Sequence, residues 1–294
     1  MKTNQAEWLS RAGKLALVTS VLTIILIAYG SWVRVTGAGL GCPDWPLCEG
    51  DVIPELKGDV AIEFGHRFIA GVTIILVSVT TLIAYKGRFH DQIAFRLIFG
   101  AWVAILIQAI LGGITVLTEL HGMVRLAHLT FAMLTLGFLI SGAFRSLPIG
   151  GITYPSLKRS RSLLTGTLFV VLAGGLIVGS GESSGCPGLP LCDSRSSDAA
   201  LVFHGLHRVL ATLLVAVLVV TAVQVYKNGD KGLGFMLSLA VALLAVLQFS
   251  VGVSAIITDL PQSLRVLHLA LAATIWSLVV AQFSLILKST GTSK

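Results

Sequence analysis

Histidines, arginines and cysteines recur at matched spacing in the two halves of this chain, and their types point to metal chemistry. His66-Arg67 in the first half answers His207-Arg208 in the second, and Arg125-x-x-His128 answers Arg265-x-x-His268. Residues 108–132 align without a gap on residues 248–272, with eight of 25 positions identical, among them Gln108/Gln248, Gly112/Gly252, Arg125/Arg265 and His128/His268. Shared Leu and Val would follow from composition; shared His, Arg and Gln do not. A closed zinc site takes four ligands, whereas a haem iron takes two axial nitrogens from opposite sides. The reading is therefore two haem sites, one held by His66 and His128 and the other by His207 and His268. Arg67, Arg125, Arg208 and Arg265 supply guanidinium forks for outward-pointing haem propionates, with interfacial anchoring as the plainer alternative. Gly65, Gly71, Gly112, Gly113, Gly205 and Gly252 leave room for a flat macrocycle.

The halves differ at one position that bears on chemistry. Glu63 precedes His66 by three residues, about one helical turn, whereas His204 stands at the matching place before His207. A carboxyl group beside a haem ligand can accept a proton or stabilise a cation, so the N-terminal half is expected to do chemistry and the C-terminal half to carry electrons. The plainer reading of Glu63 is an anion favoured by the dipole at a helix N-terminus. Cys42-Pro-x-x-Pro-Leu-Cys48 is matched by Cys186-Pro-x-x-Pro-Leu-Cys192. Four cysteines allow three pairings, and the short spacers favour Cys42–Cys48 and Cys186–Cys192. These are either structural staples or, for the first pair above all, a redox-active couple.

The elements that must position these residues are membrane helices. The chain is 55% hydrophobic and 12% charged, with a mean hydropathy of +0.89. Eight apolar runs lie near 15–34, 62–85, 97–117, 124–144, 162–180, 200–226, 234–257 and 264–287, each about as long as the ~20 residues a spanning helix needs. The expected fold is an all-α integral membrane protein. Its eight transmembrane helices form two parallel four-helix-bundle repeats with pseudo-twofold symmetry, at 1–145 and 162–294, joined by a basic linker at 146–161 that carries Pro148, Pro155 and Gly150-Gly151. The first run resembles a secretory signal but is longer and recurs as the fifth, so it reads as a retained helix.

The net charge of +7 does not mark a nucleic-acid binder, because 14 of the 21 Lys and Arg fall on one side of the expected topology. By the positive-inside rule that side, with both termini and Lys294, is cytoplasmic. Of the seven outer cations, Lys57 and Arg195 read as ordinary loop charges and Arg34 closes the first run. His90 reads as a solvated loop residue, and His121 faces Pro261 in the alignment and so lies outside the repeated set. Glu119 and Asp259 read as caps or partners of nearby arginines. Gln108 and Gln248 read as helix-to-helix hydrogen-bonding groups.

Taken together, the run from Gly37 to Cys48 (G-x-G-x-G-C-P-D-W-P-L-C), Glu63-x-x-His66-Arg67, Arg125-x-x-His128, His207-Arg208 and Arg265-x-x-His268 resemble the haem A synthase family over nearly the whole chain. The resemblance implies oxidation of the C8 methyl group of haem O to a formyl group, giving haem A for terminal oxidases. It implies a haem b cofactor at His207 and His268, and substrate haem O and product haem A at His66 and His128. It also implies important roles for Glu63, Cys42 and Cys48, and a route through an alcohol and its hydrate with water as oxygen source. The second cysteine pair varies within the family. The implied location is the bacterial cell membrane. Candidate partners are membrane lipid, haem O synthase, a quinone or other electron acceptor, and further copies of the chain. The alternative is a non-enzymatic dihaem electron-transfer cytochrome, with a haem transporter as a third reading.

Overall fold

The structure is a computed structural model, and it describes residues 2–152, 156–193 and 196–291. Pro155, Arg195 and Lys294 lie outside the described residues. Eight helices follow in order: α1 (Lys2–Thr36), α2 (Gly58–Lys86), α3 (Gln92–Leu117), α4 (Gly122–Ser146), α5 (Leu157–Gly179), α6 (Asp198–Lys227), α7 (Leu233–Ile257) and α8 (Gln262–Gly291), with one 3-10 turn at Ala38–Leu40. All eight are long and apolar enough to cross a membrane. Among the described residues there is no strand beyond an isolated bridge between Cys48 and Asp51. A helix is what such runs must form, because lipid offers backbone N–H and C=O groups no partners.

Several helices exceed their apolar runs. α1 begins at Lys2, far before the first apolar stretch, because its polar first turns still have a surface to cover. Leu9 and Ala12 pack with Ala84, Ala94 and Ile98 at the ends of α2 and α3, and Trp8 takes the cations of Arg11 and Lys86 against its ring. α5 likewise starts at Leu157, five residues before its expected start. Where loops become helices, side chains supply the missing acceptors: Asp91 caps Ile93 and Ala94, and Ser197 caps Ala200.

The helices of each half form a ring. α1 touches α2 and α4, and α3 touches the same two; α5 touches α6 and α8, and α7 touches those two. Between the halves, α4 meets α8, α1 meets α8, and α4 meets α5. The main core lies on that seam, where Ile27, Met133, Leu136 and Ile140 pack against Ala273, Trp276 and Val280. The Trp276 indole N–H donates to the Met133 carbonyl at 2.9 Å. At the end of the seam where α4 begins and α5 ends, Gly122 and Gly179 bring the two backbones together: a Cβ on Gly122 would clash with the Gly179 carbonyl oxygen. The α3–α4 and α7–α8 turns are alike. Glu119-Leu120 and Asp259-Leu260 all have positive φ, and the Leu120 and Leu260 N–H groups reach back to Thr115 and Ala255. Before the linker leaves the described residues, Ile152 is buried against Leu285 and Ile286 near the end of α8.

Candidate functional site

Each of the four repeated histidines lies in the first three turns of an even-numbered helix, and each packs on a glycine of the helix before it. A Cβ on Gly30 of α1 would lie 3.0 Å from Cε1 of His66, and one on Gly174 of α5 would lie 3.0 Å from Cε1 of His207. Gly112 stands in the same relation to His128 at 3.3 Å, and Gly252 to His268 at 3.1 Å. All four Nδ1 atoms are buried, yet each residue remains partly accessible. The open part of each ring is therefore its other edge. His66 lies within electrostatic range of His128, and His268 within range of His207. Among the described residues no three His, Cys, Asp or Glu side chains gather as a metal set. Paired histidines on glycine-thinned helix contacts suit a flat macrocycle with two axial nitrogens.

Above each pair sits a disulfide loop tied down by an arginine. Cys42–Cys48 and Cys186–Cys192 are both bonded, with Cα separations of 4.6 and 4.8 Å. Arg67 donates from Nη1 to the carbonyls of Asp44 and Leu47, each at 2.7 Å, and from Nη2 to that of Cys42 at 2.8 Å. Its Nε donates to Oε1 of Glu63 at 3.0 Å, and Glu63 is only 6% exposed. Arg208 repeats the clamp, from Nη1 to Gly188 and Pro190 and from Nη2 to Cys186. Here the Nε is buried with no partner among the described residues; His204 replaces the carboxylate, and its Nε2 meets the Glu182 carbonyl at 2.7 Å. The repeated arginines thus divide. Arg67 and Arg208 commit their Nη donors to loop carbonyls, a role the sequence did not reveal, whereas no ion pair engages Arg125 or Arg265 among the described residues.

The profile of the family described as cytochrome oxidase assembly protein matches residues 13–61 and 55–280. The haem A synthase of Exiguobacterium sibiricum is 31% identical over 210 residues, covering 68% of this chain and 69% of its own length. That of Bacillus licheniformis is 25% identical over 276 residues, 86% of this chain and 89% of its own. That of Shewanella oneidensis is 26% identical over an alignment of 340 positions, 99% of both chains. The chain belongs to the haem A synthase family.

In this haem A synthase relative, two aromatic residues that the sequence reading passed over border the N-terminal pair. Tyr29, next to Gly30, lies nearly parallel to His66, with centroids 6.1 Å and planes 11° apart. Its hydroxyl fits only because Gly65 opposite has no side chain; a Cβ there would come within 2.6 Å. Trp45, at the tip of the clamped loop, lies on Gly113, where a Cβ would come within 2.7 Å of the indole. The corresponding residues of the other half are Ala173 with Leu206, and Leu189 with Val253. Tyr with Gly has become Ala with Leu at the first place, and Trp with Gly has become Leu with Val at the second; aligning the loops and α1 with α5 would have exposed both exchanges. Asp44, next to Trp45, receives the Gly50 and Glu49 N–H groups at 2.9 and 2.6 Å. These donors, Gly50 foremost, hold its carboxyl below the usual carboxylate range.

Other expectations resolve more simply. Gly71 and Gly205 face open space rather than a histidine. Gly71 lines a shallow cleft of about 330 Å³ with Phe64, Phe68 and Cys48 on the outside of α2. The side-chain oxygens of Gln108 and Gln248 are buried and accept no hydrogen bond among the described residues. Glu119 and Asp259 are exposed and form no ion pair among the described residues. His90 and His121 are exposed and stand apart from the four ring-buried histidines.

Proposed function

We propose that this protein is a haem A synthase that oxidises the C8 methyl group of haem O to a formyl group. In this reading 1–145 and 162–294 are parallel repeats related by a pseudo-twofold axis, joined by 146–161 and set in the bacterial cell membrane with both termini cytoplasmic. His66 and His128 hold the substrate haem O and the product haem A. His207 and His268 hold a resident haem b, which would supply electron transfer toward a quinone or another acceptor. The observation that carries the reading is an asymmetry: of two alike histidine pairs, one alone among the described residues has a buried carboxylate, Glu63, one turn away.

Converting a methyl to a formyl group takes up, net, one water oxygen and releases four protons and four electrons to the acceptor: one water gives the alcohol, a second gives the geminal diol, and the diol loses water to leave the aldehyde. Something must receive protons beside the methyl group. Glu63 suits that task. Arg67 engages Oε1 and leaves Oε2 for a proton, and a positioned carboxylate contributes roughly 10²- to 10⁴-fold in such a step. Arg67 fixes Glu63 relative to the loop, and the loop brings Trp45 onto α3, so the Cys42–Cys48 staple orders the wall over the substrate. Haem O carries a long apolar tail, which the helix surfaces of α2 and α3 can pass into lipid. Haem O synthase is the natural donor of the substrate.

The test is co-expression with a haem O synthase in a host lacking haem A, followed by chromatography and mass measurement of the extracted haems. Hydroxylated haem O or haem A is the expected result. Haem B with unchanged haem O, on folded and haem-loaded protein, would favour the dihaem cytochrome.

A further inference from the structure

Three arginines from both halves converge at the outer end of the seam, and none of them forms an ion pair among the described residues. Arg34 stands in the last turn of α1, and Arg125 and Arg265 are each the fourth residue of their helices, α4 and α8. These three helices touch one another pairwise. The start of α8 is pinned to the end of α1 by the Gln262 side chain, which donates to the Val35 carbonyl at 3.2 Å. Arg34 is within electrostatic range of both Arg265 and Arg125. All three are partly buried, and the Nε of Arg125 is sealed with no acceptor.

The arrangement is unfavourable as it stands. Like charges repel, and more so away from water. Arg125 and Arg265 also face the positive ends of their own helix dipoles; Arg34 alone has a dipole in its favour. The repeated acids Glu119 and Asp259 are exposed and form no ion pair among the described residues. Arg34 has no counterpart, since Val178 takes its place in α5, so the cluster is a single centre rather than one per half. One helical turn beyond Arg125 lies His128, and one turn beyond Arg265 lies His268. The cluster therefore stands between the two histidine pairs.

We propose that Arg34, Arg125 and Arg265 form one oxyanion site on the seam, shared by the carboxylates of the haems bound at both histidine pairs. The inference rests on the haem reading above. It adds that the two haems are held through a common cationic centre, so neither site is independent of the other. Arg67 and Arg208, already engaged with their loops, are not part of it.

The test compares wild type with Arg34→Gln, Arg34→Lys and Arg265→Gln, each co-expressed with haem O synthase and purified haem-loaded. Haem loss to excess apomyoglobin is followed separately for haem B and for the haem O-derived species. Arg34→Gln should speed loss from both sites about tenfold, as expected for one charge-assisted contact removed, with Arg265→Gln acting alike and Arg34→Lys close to wild type. Unchanged loss in both glutamine variants would overturn the proposal, and faster loss of one haem alone would overturn the sharing. Anionic phospholipid retained by wild type and absent from Arg34→Gln, with haem loss unchanged, would assign the cluster to a lipid headgroup instead. Wild type with no bis-histidine haem spectrum would defeat the haem reading itself, whatever the arginines do.

Discussion

The two halves use the same supports around different contents. Both set a histidine of the second helix on a glycine of the first, a histidine of the fourth on a glycine of the third, and both tie a disulfide loop down with an arginine. Yet Glu63 lies under the N-terminal loop where His204 lies under the other, and Tyr29 and Trp45 border one pair where Ala173 and Leu189 border its counterpart. What is shared is what the proposed haems would require of a four-helix ring: two nitrogens, thin contacts and a fixed lid. What differs can bear on the periphery of the macrocycle, where a methyl group would be oxidised. On the proposed reading, the comparison would separate holding a haem from acting on one.

The comparison breaks most visibly at the ligands. His268→Ala should abolish the low-spin haem b spectrum while haem O remains bound at the other pair. His128→Ala should do the reverse. Spectra and haem counts of the two purified variants check this, and loss of both haems in either variant would contradict separate sites. Next in size are the loop clamps. Arg67→Met removes three carbonyl bonds and the partner of Glu63, so conversion should fall about 100-fold, the scale of a mispositioned catalytic group. Arg208→Met loosens only its loop, and conversion measured under the same conditions should fall a few-fold, roughly the effect of one modest hydrogen-bonding loss.

The cysteines sharpen the same contrast. Cys42→Ser should lower conversion about tenfold, by freeing a loop whose closure had removed chain entropy, and Cys186→Ser should lower it less. Equal losses would mean that both loops serve chemistry. The smallest expected effect concerns the aromatic border. Gly113→Val alone overpacks against Trp45 and should destabilise by about 1–3 kcal/mol. Adding Trp45→Leu recreates the C-terminal pairing and should recover most of that stability without recovering full turnover, as thermal unfolding and product assays would show.

Much of this was legible in the chain because its signals are local or repeated. Long apolar runs declare helices in any context, and His, Arg and Cys repeated in register stand out against Leu and Val. The start of α1 was not legible, since Asn4, Gln5, Glu7, Arg11 and Lys14 look soluble until the ends of α2 and α3 are placed beside them. Nor were the tasks of Arg67 and Arg208. A guanidinium suits a propionate and a row of carbonyls equally, and only the loop path decides between them. Gly30 and Gly174 escaped because α1 and α5 share few polar marks to align. The meeting of Arg34 with Arg125 and Arg265 depends on how the halves dock, which no spacing along the chain encodes.

The central claim is that one half acts and the other conducts, and Glu63→Gln tests it most directly. The substitution keeps the shape and a hydrogen-bonding oxygen for Arg67 while removing the proton-accepting carboxylate. Purified from a host making haem O but no haem A, this variant should contain haem B in full and haem O unconverted. Formation of haem A at the wild-type level would remove Glu63 from the chemistry and, with it, the division between the halves.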